Sequence, residues 1–100
     1  MAKLTVVYWR DIPAQVIVKR GRKSAKAMLS QRFQEAIDRA AMRAGKGSSD
    51  AYLADWRRSQ PRDCGEDIEA EARAEADRLE ESMSNQELQD LVKARGSLSE

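Results

Sequence analysis

The sequence contains no histidine and a single cysteine, Cys64, among its 100 residues. Without histidine, neither a histidine-based catalytic triad nor a histidine-ligated metal site can be built. One cysteine cannot form an intrachain disulfide or a cysteine metal cluster. No apolar run approaches the roughly 20 residues of a membrane-spanning helix, and the first residues lack the segments of a signal peptide. We therefore expect a cytoplasmic protein without a metal, another cofactor or a membrane partner.

Charge is divided unevenly along the chain, although the formal net charge is only +1. Residues 1–50 contain 11 Lys and Arg and 4 Asp and Glu, whereas residues 51–100 contain 7 and 13. Either the acidic half neutralises the basic half, or the basic surface stays open for a partner. Because the total is near zero and no nucleic-acid-binding motif is present, constitutive nucleic-acid binding is the less favoured function.

The first 20 residues predict a β-hairpin. Lys3–Trp9 and Gln15–Lys19 are rich in β-branched or aromatic residues, which are typical of strands. Between them, Asp11 and Pro13 favour a turn. Strict alternation predicts one face with Leu4, Val6 and Tyr8, and a second face with Thr5, Val7 and Trp9. Both faces are largely apolar, so we expect cover on both sides of the hairpin. A face left uncovered would instead be a docking surface.

The rest of the chain predicts about four helices after a short turn at residues 24–28. The first has Ser30 as its N-cap and an apolar stripe at four-residue spacing that includes Phe33 and Ile37. The others are a helix from Asp50 to Arg58 with Ser49 as its N-cap, an acidic helix from Glu66 to Glu81, and a helix that follows the capping box at Ser84–Glu87 and ends before Gly96.

These elements predict an α+β fold, in which an N-terminal antiparallel β-hairpin is packed by about four α-helices in a single small domain. Residues 1–60 would form the hairpin and the helical core, and residues 61–100 an acidic helical region of the same domain. Since a lone hairpin is marginally stable, we expect the helix with Phe33 and Ile37 to cover one of its faces.

The segment Thr5–Val16 resembles the opening signature of a family of small bacterial "virulence factor" domains. The resemblance covers roughly residues 4–58. Its further matches are Lys19–Arg22, Arg32–Phe33, Glu35–Asp38, Asp50–Leu53 and Trp56–Arg57. It implies an accessory or scaffold role, with a folate- or corrinoid-dependent enzyme of one-carbon metabolism as a candidate partner, and it transfers no catalytic residue.

Two groups of residues are candidates for binding. The first lies at the end of the hairpin and consists of Tyr8, Trp9, Arg10, Asp11 and Pro13. Loops on a rigid scaffold often bind partners. The structural interpretation, in which Tyr8 and Trp9 are core residues and Asp11 closes the turn, is favoured over this one. The second is the basic segment Lys19–Lys26, which includes Arg20, Arg22 and Lys23. It could steer a partner electrostatically, bind an anionic ligand or nucleic acid, or pair with the protein's own acidic helix.

The leading hypothesis is a non-enzymatic accessory protein that binds a partner protein through the hairpin and the Tyr8–Pro13 turn. The alternative is a binder of an anionic ligand or nucleic acid through Lys19–Lys26. An enzyme is not expected, because the sequence offers no pair of nucleophile and base. Cys64 has acidic neighbours, which disfavour its thiolate, and no histidine to activate it.

Overall fold

A computed structural model describes residues 2–45 and 53–96. This part of the chain forms five strands and three helices, which confirms the α+β class and the single small domain. The strands are β1 (Ala2–Trp9), β2 (Ile12–Arg20), β3 (Lys23–Met28), β4 (Trp56–Arg58) and β5 (Arg62–Cys64). The helices are α1 (Gln31–Arg43), α2 (Ile68–Ser82) and α3 (Asn85–Lys93).

The strands form one antiparallel sheet in the order β3-β2-β1-β4, and β5 pairs with the other end of β1. The predicted hairpin is confirmed as β1 and β2. The expectation that the sheet consists of these two strands alone is wrong, because the sheet has five strands in the described residues. The expected turn at residues 24–28 lies in β3, which continues from a second hairpin turn where Gly21 has a φ of 61°. Glycine adopts this left-handed conformation without steric cost, so the chain can reverse within two residues.

The predicted helix from Asp50 to Arg58 is wrong in its last turn, because Trp56–Arg58 form β4. Trp56 lies opposite Trp9, so pairing with β1 overrides the local helical pattern. Ser49 and the start of this predicted helix lie outside the described residues. The described ranges contain three complete helices, and Leu53 and Ala54 are two helical residues within the expected fourth.

The core lies between the sheet and the helices. Its largest fully buried side chains are Trp9, Phe33, Leu4, Ile12, Ile37, Leu91, Val16 and Val18. The acidic helix α2 packs on β2 and β3, whereas α1 packs mainly on α3 and also contacts β2. The thin apolar stripe of α2 is sufficient because Ala72, Ala76 and Leu79 are buried, and alanine lets the helix approach the sheet closely. The acidic region is therefore docked on the basic one.

The two serine N-caps behave differently. The predicted capping box of α3 is confirmed: the Ser84 hydroxyl accepts a hydrogen bond from the Glu87 amide at 3.1 Å, and the Glu87 carboxylate accepts one from the Ser84 amide at 3.2 Å. Ser30 is the N-cap of α1, but its side chain makes no capping bond. Instead, the Ser30 hydroxyl donates to the carboxylate of Glu80 on α2 at 3.0 Å.

Candidate protein-docking site

The turn between β1 and β2 consists of Arg10 and Asp11. Arg10 has a φ of 54°, which is a strained conformation for a residue with a side chain. Two backbone hydrogen bonds hold the turn: the Arg10 amide donates to the Asp55 carbonyl at 3.1 Å, and the Asp11 amide donates to the Gly96 carbonyl at 2.7 Å. The turn is therefore fixed by chain segments that are distant in sequence, and this over-determination lets the strain persist.

The side chain of Arg10 makes contacts within the protein itself. One guanidinium nitrogen lies 3.3 Å from an Asp55 carboxylate oxygen, and another donates to the Arg95 carbonyl at 2.8 Å. The guanidinium stands 5.1 Å from the centre of the Trp9 ring. Arg10 thus joins the hairpin turn to two other segments, which supports the structural interpretation of this residue.

Arg57 on β4 closes the turn from the other side. Its Nε donates to the Arg10 carbonyl at 2.7 Å, and an Nη donates to an Asp11 carboxylate oxygen at 3.2 Å. The guanidinium stacks 4.6 Å from the centre of the Tyr8 ring. Arg57 is not recognisable as a site residue from the sequence, because its position beside the turn depends on the unpredicted strand β4.

The prediction that Trp9 shares a face with Thr5 and Val7 is wrong, and its interpretation as a core residue is confirmed. Trp9 is 0% exposed and belongs to the same core cluster as Leu4 and Val6. The pairing of β1 with β2 shifts between Val7 and Tyr8, because Ala14 is left without a partner on β1. Gly96, in the turn after α3, lies against the Trp9 ring. Pro13 is also buried, and Tyr8 is half-buried.

The structure separates the two groups of predicted site residues. Arg22 and Lys23 are exposed at the turn between β2 and β3, and Arg20 donates to the Glu66 carbonyl at 2.9 Å. The Tyr8–Pro13 turn is at the opposite end of β2, which is nine residues long, or about 26 Å at 3.3 Å per residue. The two groups therefore do not form one compact site.

A different surface combines part of the predicted hairpin face with part of the basic segment. We call it the open sheet face, and it is the side of the sheet opposite the helices. Strand alternation and register place on it Lys3, Thr5, Val7, Gln15, Ile17, Lys19, Lys26, Met28 and Arg58. Val7 and Ile17 are buried, but neither belongs to the core cluster that contains the helix residues.

Two adjoining depressions lie on the open sheet face. The larger has a volume of about 440 Å³ and is lined by Lys3, Thr5, Ile17, Lys19, Arg58, Ser59 and Pro61. The smaller has a volume of about 280 Å³ and is lined by Val7, Gln15, Trp56, Arg57 and Arg58. Because Arg58 lines both, they form a single groove, which we call the β1 groove. Its floor is apolar and its rim carries cationic groups.

The charges on the open sheet face are only partly neutralised. Lys3 and Lys19 lie directly opposite each other on β1 and β2. The Lys3 ammonium pairs with the Asp63 carboxylate, and this hydrogen bond lowers the pKa of Asp63 below its usual value. Within the described part of the chain, no carboxylate forms an ion pair with Lys19, Lys26 or Arg58. The face is therefore net positive.

The surroundings of Cys64, the single thiol of the chain, do not activate it. Cys64 is half-buried, and burial, followed by the nearby Glu71 carboxylate, raises the pKa of its thiol. A raised pKa disfavours the nucleophilic thiolate. Among residues 2–45 and 53–96, no three acidic or cysteine side chains are grouped so that they could hold a metal ion. No helix in those ranges has the length and hydrophobicity needed to cross a membrane.

Comparison with known proteins gives one match. The family model described as "Virulence factor" matches residues 7–92. This match extends past residue 58, where the resemblance ended, and includes all of α2 and all of α3 except Lys93, so the docked acidic helix is part of the family's domain. No curated protein and no solved structure shows a significant match to the chain. The matched region thus includes the end of β1, the hairpin turn and every later described element up to Val92, and the chain belongs to the Virulence factor family.

Proposed function

We propose that the protein is a non-enzymatic accessory protein that binds a partner protein through the open sheet face. The observation that carries this proposal is a cationic face with an apolar floor, on the side of the sheet opposite the core cluster. Protein interfaces combine an apolar centre with a polar or charged rim. On the family resemblance, the partner is a folate- or corrinoid-dependent enzyme of one-carbon metabolism.

The hairpin remains the binding element, but the position of the contact moves away from Trp9. Trp9 is fully buried, so it anchors the hairpin and cannot contact a partner. The Tyr8–Pro13 turn holds the end of β1 in place through Arg10 and Arg57. A rigid turn keeps the sheet face pre-organised, which reduces the entropic cost of binding.

Met28 allows a direct test of this docking surface. Its side chain lies on the open sheet face and is 61% exposed, so Met28→Asp should leave the fold intact. Met42 on α1 is 73% exposed and provides a matched control on the opposite side of the core. We expect Met28→Asp to weaken binding to a purified one-carbon enzyme from the same organism at least tenfold, and Met42→Asp to bind like wild type, in surface plasmon resonance.

Equal affinities for the two variants would contradict docking on the open sheet face. Circular dichroism and thermal unfolding of both variants serve as controls for the fold. Wild-type protein that binds no such enzyme, in a panel that includes folate- and corrinoid-dependent members, would contradict the proposed class of partner.

A second candidate function is the binding of an anionic ligand or nucleic acid through Lys19–Lys26. It is favoured by the exposed Lys19, Arg22, Lys23 and Lys26, which have no carboxylate partner in the described ranges. Fluorescence anisotropy with a labelled single-stranded RNA and with a labelled DNA tests this function. Affinity that falls steeply as salt is raised would support it, and flat titrations with both probes would contradict it.

A further inference from the structure

The β1 groove has the shape of a site for an extended chain. Its two depressions adjoin at Arg58, and together their linings reach from Lys3 at one end of β1 to Trp56, which lies opposite Trp9 at the other end. From Lys3 to Trp9 the strand advances six residues, or about 20 Å at 3.3 Å per residue. A segment of about six residues in extended conformation therefore spans the groove.

The positive charges around the groove favour an occupant that carries carboxylates. Lys3 and Lys19 are directly opposite each other, and like charges in such a cross-strand pair are destabilising. Asp63 supplies a carboxylate to Lys3 alone, and Arg58 has no ion pair with any described residue. Negative groups placed between these cations would relieve the repulsion. Because the cations are at the rim, their partners would remain near solvent, where pairing improves specificity more than affinity.

The apolar floor of the groove favours an occupant with an apolar side chain beside those carboxylates. Ile17 and Pro61 line the larger depression, and Val7 and Trp56 line the smaller one. Single-stranded nucleic acid needs several aromatic platforms for its bases, whereas Trp56 is the one aromatic side chain in the described lining of this groove. The combination of an aliphatic floor and a cationic rim therefore favours a peptide over a nucleic acid.

We propose that the β1 groove binds an extended acidic segment of the partner protein. Carboxylates of this segment contact Lys3, Lys19 and Arg58, and one large apolar side chain of the segment packs against the exposed Pro61 in the larger depression. This assignment rests on the proposed function, because it names the part of the partner that the open sheet face recognises.

Selection from random eight-residue peptides displayed on phage tests the assignment with the full chain as bait. We expect the enriched peptides to carry at least two Asp or Glu residues next to a Leu, Ile, Phe or Met. A synthetic enriched peptide should change the fluorescence of Trp56, and Trp56→Phe should abolish that change. Its Kd should rise at least tenfold in the double variant Lys19→Glu and Arg58→Glu, and also when NaCl is raised from 50 to 500 mM.

Lys93→Glu is the matched control, because Lys93 is an exposed cation on α3, away from the groove. Acidic peptides that bind the double variant as tightly as the wild type would overturn the assignment. A selection that enriches neutral or basic peptides, or that enriches no peptide, would also overturn it. If a folded partner protein still bound Met28→Asp more weakly than Met42→Asp, the proposed function would remain supported although the peptide assignment had failed. A single-stranded DNA that displaces the selected peptide and binds more tightly would also overturn the assignment.

Discussion

Gly96 lies against the indole ring of Trp9, so that a Cβ atom at position 96 would be 2.8 Å from Cζ3 of Trp9. Gly96 also has a φ of 87°. The Gly96 amide donates to the Leu91 carbonyl, and the Gly96 carbonyl accepts from the Asp11 amide, both at 2.7 Å. One glycine therefore ends α3, holds the hairpin turn and covers the largest core side chain.

Gly96→Ala should destabilise the protein strongly. The new methyl group would both overlap the Trp9 ring and force alanine into left-handed backbone conformation, so we expect a loss of about 2–4 kcal/mol from the two effects together. Gly45→Ala is the control, because Gly45 has a φ of 74° but open space around it. It should cost about 1 kcal/mol. Urea denaturation followed by tryptophan fluorescence measures both, and equal losses would show that the ring contact has no energetic weight.

Arg10 should contribute to folding in opposite ways through its backbone and its side chain. Arg10→Ala loses the contacts with Asp55 and Arg95 but keeps the strained φ, whereas Arg10→Gly loses the same contacts and relieves the strain. We therefore expect Arg10→Gly to be more stable than Arg10→Ala by about 1 kcal/mol. Thermal and urea unfolding of the two variants give this difference, and an Ala variant as stable as the Gly variant would contradict it.

Local chemistry made some elements predictable. The strands β1 and β2 have strong β-forming side chains, and the capping box at Ser84 is recognisable because both of its hydrogen bonds are made within four residues. The acidic helix was recognisable by composition. The docking of this helix on the sheet was not predictable from the sequence. It depends on the buried Ala72, Ala76 and Leu79 and on ion pairs with Arg32 and Arg62, which are distant in sequence or precede the helix.

Contacts between distant segments explain what the sequence did not predict. The strands β4 and β5 have three residues each, and β1 provides the partner that makes them extended. The register shift at Val7 and Tyr8, and the cover that Gly96 gives to Trp9, are equally non-local. For this reason strict alternation assigns Trp9 to the wrong face of β1, and the sequence does not predict the groove beside Arg58.

The two serine N-caps should differ in their energetic weight. Ser84→Ala removes a side-chain bond to the Glu87 amide and should cost about 0.5–2 kcal/mol. Ser30 makes no capping bond, and the half-buried Glu80 carboxylate that its hydroxyl contacts also accepts from the Ser30 amide and from Arg32, so Ser30→Ala should cost less. Differential scanning calorimetry of both variants measures the difference. A larger loss in Ser30→Ala would mean that the contact with Glu80 outweighs the capping box.

Glu75 should make folding sensitive to acid. Its carboxylate is buried on α2 and pairs with both Arg62 and Arg78. The hydrogen bond from Arg78 is the largest cause that lowers the pKa of Glu75 below 4.5. Because the folded-state pKa lies below the unfolded-state value, this stabilisation is fully present above about pH 4.5 and is lost as the pH falls through the folded-state pKa.

Glu75→Gln isolates this contribution. At pH 7 the variant should be less stable than the wild type by about 1–3 kcal/mol, because a buried charged hydrogen-bond acceptor is replaced by a neutral one. At pH 3 the gap should narrow, because the carboxylate of the unfolded wild type is then mostly protonated and folding must release that proton. Glu69→Gln, at an exposed position on the same helix, should change little at either pH. Urea denaturation at the two pH values measures these gaps, and a gap for Glu75→Gln that is constant or widens toward pH 3 would contradict the role of the ionised carboxylate.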